Sequence, residues 1–234
     1  MSFRSGKLVL ALGCLALGAG CLKANVTYGT FDSGNCIPFM CNDSGTSSGQ
    51  SVDYQQVYTA SGFSGATTIT GIDWYLDAAD SGANVNLLGG SYTFSWGYAA
   101  FGSVDNLSST LASNYVGGPN LLGTAPVPAG GVAYGAVLAL TGINFNYDPS
   151  LGDLLLEVVV SGQDNVPNGP ANGYNENDST GAVTSRAYCI TNVGCGANNA
   201  GLVTTFETAA PEPGTLGMLG GALLGLGFLR KRLS

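Results

Sequence analysis

No histidine occurs anywhere in the 234 residues. With it go the commonest general base and the commonest metal ligand, so Ser-His-Asp, Cys-His and His-zinc chemistries are excluded at the outset. Charge is scarce too, at 9% of residues. Between residues 25 and 210 there is no lysine, and Arg186 is the one basic residue against fourteen acids, a net of −13. Nucleic-acid binding needs clustered Lys and Arg to neutralise phosphates. This stretch repels phosphate, and no nucleic-acid partner is expected. A chain that is 45% apolar is equally far from a disordered acidic tail. No segment of 25–210 has a helical period, and nothing in it calls for a cofactor.

The basic residues sit at the two ends, which read as addresses. Arg4 and Lys7 precede an apolar run from Leu8 to Gly20. That run is too short to span a bilayer comfortably and fits the core of a signal peptide over residues 1–24. Leu22-Lys23-Ala24 places a small residue before a mature Asn25 and favours the soluble type. Gly18-Ala19-Gly20-Cys21 resembles a lipoprotein box, with Gly18 where Leu is expected. At the other end Pro211-Glu212-Pro213 is followed by the uncharged stretch 214–229 and then Arg230-Lys231-Arg232. Sixteen residues of helix reach about 24 Å, short of a ~30 Å hydrocarbon core. The basic triplet would stay cytoplasmic. A transient membrane anchor fits this arrangement.

Residues 209–234, with Pro-Glu-Pro, a Gly/Leu-rich helix and a terminal basic cluster in that order, resemble the PEP-CTERM sorting signal of Gram-negative bacteria. The same type of tail also goes under the label ice-binding protein C-terminal domain, which describes the tail and not ice binding. The resemblance implies recognition of Pro211, Glu212 and Pro213 by an exosortase, anchoring in the membrane by the C-terminal helix until processing, and then a place at the cell surface or in the extracellular matrix, often beside extracellular polysaccharide.

Residues 25–208 read as an all-β, antiparallel sandwich or jelly-roll-like domain. Ile72, Trp74 and Leu76 alternate with Asp73, Tyr75 and Asp77; Tyr92, Phe94, Trp96 and Tyr98 alternate with Thr93, Ser95 and Gly97; Ile143, Phe145 and Tyr147 alternate with Asn144 and Asn146. Leu154–Val160 is nearly continuously apolar apart from Glu157, as a central strand should be. Shorter strands are expected at Val52–Tyr58, Val132–Leu140, Ala182–Ile190 and Leu202–Glu207, and long loops at Gly82–Gly90, Asn114–Gly131 and Asp164–Gly181. Tyr54–Tyr58, Phe63–Gly65 with Thr68–Ile72, Phe145–Pro149, Gly152–Val158 and Gly201–Phe206 resemble a β-sandwich domain found ahead of such tails. The resemblance carries no catalytic residue. Asp153 stands where that domain usually has a neutral Asn, and the exchange is expected to be mild.

Four cysteines fall in the body: Cys36, Cys41, Cys189 and Cys195. In an exported domain they imply disulfides, with three possible connectivities. Local pairing, Cys36 with Cys41 and Cys189 with Cys195, is expected over cross-pairing, each bridge contributing about 2 kcal/mol. Zinc is disfavoured by the oxidising compartment, and no metal is expected. Asp77, Asp80 and Asn84, like Asn175, Glu176, Asn177 and Asp178, form oxygen-rich loops without an established calcium spacing, and read as solvated turns. Only three glutamates, Glu157, Glu176 and Glu207, are available for glycoside hydrolysis, and nothing in the sequence pairs Glu157 with a second carboxylate. Trp74, Tyr92, Trp96 and Tyr98 read as core, and Tyr75 as the aromatic best placed outside. The expectation is an exported, non-catalytic, structural or adhesive surface protein. A carbohydrate-binding module is the alternative and a glycoside hydrolase the second alternative.

Overall fold

The computed structural model describes residues 24–39, 50–77, 86–133, 137–163, 175–178 and 183–209. The expected signal segment and the tail from 210 onward lie outside the described residues. The described residues from Asn25 to Thr208 belong to one compact unit. In chain order its strands are β1 (Ala24–Tyr28), β2 (Ser33–Asn35), β3 (Gln50–Tyr58), β4 (Thr67–Tyr75), β5 (Asn86–Leu87), β6 (Gly90–Ala99), β7 (Val116–Val127), β8 (Val132–Ala133), β9 (Val137–Tyr147), β10 (Asp153–Gln163), β11 (Asn175–Asn177), β12 (Thr184–Ile190), β13 (Gly194–Asn198) and β14 (Thr204–Ala209). Among the described residues the only helical pieces are short 3-10 turns at Ala60–Gly62, Ser103–Asp105 and Leu111–Asn114.

The strands build the expected antiparallel sandwich. One sheet runs β1-β14-β4-β9 and the other β13-β12-β3-β10-β6-β7; β2 with β11 and β5 with β8 form two small ribbons. Period-two patterning decides which side chains turn inward. From β4 and the residue after it come Ile72, Trp74 and Leu76, from β10 Leu154, Leu156, Val158 and Val160, and all are buried. The rings then interlock across the two sheets. Tyr58 meets Phe206 edge-on with centroids 4.8 Å apart. Phe63 meets Tyr147 at 4.8 Å. Trp96 stacks on Phe145 at 5.0 Å. Such offset and edge contacts add roughly 0.5–1.5 kcal/mol each beyond area burial.

Two sequence expectations need correction. Asn114–Gly131, expected as a loop, contains the twelve-residue strand β7. It escaped notice because it is a sheet edge: most of its side chains are exposed or half-buried, so no clean alternation marks it. Pro119, Pro126 and the left-handed Gly117 and Gly118 also imitate loop composition. The strand expected at Val132–Leu140 is divided between β8 and β9, and β9 continues to Tyr147. A register irregularity opposite Thr70, with Gly142 at φ 73°, joins what read as two strands. β1 and β13, both short edges, had no sequence signature. Of the expected loop 164–181 only 175–178 are described, and β11 runs there.

Asp153 is the other surprise. Its side chain is buried at 3% exposure. One carboxylate oxygen accepts the Ala60 amide at 2.9 Å. The other accepts the amides of Gly102 at 2.9 Å and Ser103 at 3.3 Å. Gly152 before it has φ 151°, and a Cβ there would meet the Ala99 carbonyl at 2.4 Å, so only glycine delivers the chain into β10 at this point. An Asn at 153 offers one oxygen acceptor where Asp offers two. The exchange that reads as mild therefore matters here, because three backbone amides converge on the carboxylate. Urea unfolding should rank wild type above Asp153→Asn and that above Asp153→Ala, the alanine variant losing about 2–4 kcal/mol. Equal midpoints for all three would contradict this role.

Candidate functional site

The aromatics expected inside are inside or packed on the core. Trp74 and Tyr92 are buried, and Trp96 and Tyr98 are half-buried against the core. Tyr75 is different. It projects from the opposite face of β4, its hydroxyl 2.6 Å from the Thr205 hydroxyl on β14. Phe31, 55% exposed, meets its ring edge-on at 5.2 Å. Thr27 closes the row through a 2.7 Å contact with Thr205. The outer face of the smaller sheet thus carries two aromatics beside threonine hydroxyls. Asp73 lies on the same face of β4 two residues from Tyr75, and burial first, then the Glu207 charge, raises its pKa.

The larger sheet carries a second pair of acids on its outer face. Glu157 of β10 stands opposite Gln55 of β3, and Asp53 stands opposite Val159, so the two carboxylates are diagonal neighbours. No local pattern points to this pairing, because 104 residues separate them and only the strand register joins them. Gln55 is fully buried. Its amide donates to Glu157 Oε1 at 2.7 Å, and its Oε1 accepts from Asn114 Nδ2 at 2.9 Å. Asn114 in turn bonds the backbone of Ser108 in both directions at 2.8 Å. The segment 100–115 is thereby held on the sheet by Asp153 at one end and by Asn114 at the other. Tyr115 completes the cluster: burial and the charges of Glu157 and Asp53 keep its hydroxyl protonated far above the ordinary tyrosine range. Asp53 Oδ1 is buried without a hydrogen-bond partner.

No basic residue offsets either acid pair from within 25–210. Arg186, the one candidate, is 9% exposed. Its Nε donates to Asn198 Oδ1 at 2.9 Å, and its guanidinium lies 5.4 Å from the Tyr188 ring centroid. Beside it the amide of Gln56 pairs with Leu202 as a strand backbone would, donating to the carbonyl at 2.7 Å and accepting the N–H at 2.8 Å.

Cys189 and Cys195 face each other across the β12–β13 hairpin and form a disulfide. Local pairing therefore holds at this end, and cross-pairing to the first cysteines is excluded. Cys36 is also disulfide-bonded, while Cys41 lies outside the described residues. Asp80 and Asn84 lie outside as well. Among the described residues no group of three or more His, Cys, Asp or Glu side chains is placed to hold a metal ion.

The described chain is an all-β sandwich of two antiparallel sheets, and the residues that follow it are an address. The family model of the PEP-CTERM protein-sorting motif matches residues 209–232, which include Pro211, Glu212 and Pro213. The motif marks the chain as an exported, exosortase-sorted protein destined for the surface or the extracellular space. No curated protein and no solved structure matches the chain. Among the described residues no helix is long and apolar enough to cross a membrane; the apolar stretch 216–229 lies outside them.

Asp53 supplies a pH test of the carboxylate pair. Burial first, then the Glu157 charge, pushes its pKa up from 3.8 to about 6. A folded pKa above the unfolded one means that stability is fully present below about 4 and is lost as pH rises through about 6. Asp53→Asn should therefore stabilise the fold at pH 7, by about 1 kcal/mol after allowing for solvent screening of a half-buried group. The gain should vanish near pH 4. Denaturation midpoints at the two pH values check this, and a variant less stable than wild type at pH 7 would contradict it.

Proposed function

We propose that the protein is a non-catalytic structural or adhesive component of the cell surface or extracellular matrix. One observation carries the reading: the sorting motif at 209–232 follows a sandwich in which several buried polar side chains are committed to holding its own segments. Gln55, Asn114, Gln56 and Asp153 all bond within the fold. The Asp53–Glu157 pair invites comparison with a glycosidase dyad, but Glu157 is tied to Gln55 and Tyr115 lies against it, so Glu157 serves to seat segment 100–115. The tail anchors the protein until the exosortase acts at Pro211-Glu212-Pro213.

A carbohydrate-binding module is the second reading. The exposed ring of Phe31 against Tyr75, with the exposed Thr27 at hand, supports it, since sugars stack on aromatic faces beside polar groups. An acidic body meets an acidic exopolysaccharide only through bridging cations or such neutral stacking.

The test is retention on the extracellular polysaccharide of the producing cells, with and without a chelator, for wild type, Tyr75→Ala and Phe31→Ala. Wild type should be retained, and loss on chelation or in either variant separates cation bridging from stacking. No retention under any condition would remove adhesion to that polysaccharide and sugar binding together. Saccharide release that disappears in Glu157→Gln would overturn the non-catalytic reading.

A further inference from the structure

The acids of the body are unevenly spread. From 106 to 147, forty-two consecutive residues, there is no charged side chain. The run is bounded by Asp105 and Asp148, and it contains both β7 and β9, the end strands of the two sheets on the side where they lie close. Like-charged molecules meet most readily where their charge is absent. Exposed sheet edges are the places where chains pair, and proteins usually blunt them with charge, proline or bulges. β7 is blunted in this way, with Pro119, Pro126, the left-handed Gly117 and Gly118 and two register irregularities. β9 has eleven residues, no proline and no charge, and its one interruption is the left-handed Gly142 at the irregularity opposite Thr70. It pairs with β4 on one side only, and no backbone hydrogen bond outside the strand ladders reaches it among the described residues. The apolar seam behind it is incompletely closed: Leu138, Leu140 and Ile143 pack on the core yet stay partly exposed, and Val137 is 40% exposed.

We propose that β9 is a self-association edge, pairing antiparallel with β9 of a second copy of this chain. A basic partner would be drawn to the acidic faces of the body. Apart from Asp73 on β4, which stands opposite Ala139, the uncharged run suits a partner that is itself acidic, and a second copy is one. Antiparallel pairing of identical strands about a two-fold axis closes the contact, extends the four-stranded sheet across two molecules and covers the half-exposed seam. The inference concerns how copies meet, so it stands or falls independently of polysaccharide retention.

Sedimentation equilibrium of the protein recovered from the extracellular fraction tests it. Wild type should dimerise at micromolar concentration, and more tightly in added salt, which screens the repulsion between acidic bodies. Ala139 and Thr141 are exposed on β9, so Ala139→Lys with Thr141→Lys places two cations on each edge strand, one of them opposite Asp73. This pair, and separately the matching pair of glutamates, should weaken association about tenfold or more. Mixing the two variants in equal amounts should restore the dimer, and Leu151→Lys, at an exposed position outside the edge, should leave it intact. In the unmodified protein, amide exchange across 137–147 should slow as concentration rises. A monomer at every concentration, a dimer indifferent to the lysine pair, a monomeric mixture, or concentration-independent exchange would each overturn the proposal.

Discussion

Strands β3 and β10 lie side by side at the centre of the larger sheet, and both of their faces must be kept from water. The inner face is covered by the smaller sheet through the aromatic layer of Tyr58, Phe206, Phe63 and Tyr147. On the outer face Val57, Leu155 and Ala99 are covered by Val104, with Leu107 and Tyr115 packed against them. That second cover has no strand ladder of its own across β3 and β10. It depends on Asp153 gathering the amides of Gly102 and Ser103 and on Asn114 reaching Gln55. A buried carboxylate is tolerable only when hydrogen bonds replace its water, and three backbone amides do so here. The rest of the larger sheet is arranged around these two covers.

The same arrangement accounts for where charge goes. The single arginine of the body is drawn inside by Asn198 and Tyr188 and does nothing to balance the surface. The acids that lie on the strand faces pair with other acids, Asp53 with Glu157 and Asp73 with Glu207, and burial adds to the cost of their charge. A net of −13 over 25–210 favours solubility outside the cell and discourages contact between copies except along the uncharged side. On the function proposed above, such a molecule acts through its faces and edges, and the sorting motif decides where they are displayed.

Much of the fold was legible because the central strands alternate strongly. Ile72, Trp74 and Leu76 turn inward while Asp73, Tyr75 and Asp77 turn out, and Leu154–Val160 reads as buried because only Glu157 and Val159 are less than buried. The edges were not legible. β7 hides among glycines and prolines because an edge strand has no need to bury alternate residues, and β13 is held by its hairpin and the Cys189–Cys195 bridge instead of by apolar side chains. Tyr75 was found outside because two aspartates flank it. Phe31 was missed, since a lone aromatic among turn residues carries no period. The Asp53–Glu157 pair was invisible for a different reason: strand register, set by the whole sheet, brings together residues that no local pattern relates. The tail could be recognised from sequence alone, because three unlike features coincide at a fixed order and spacing.

On the function proposed above, this body reaches the outside as an exosortase substrate and acts there as a folded surface. Fractionation of cells with and without an active exosortase tests it most directly, with the protein followed by an antibody to the sandwich. Release to the cell surface or medium is expected when the exosortase is active, and retention in the membrane fraction, with Arg230–Arg232 still attached, when it is not. Equal release in both strains, with the basic triplet present in the released protein, would contradict it.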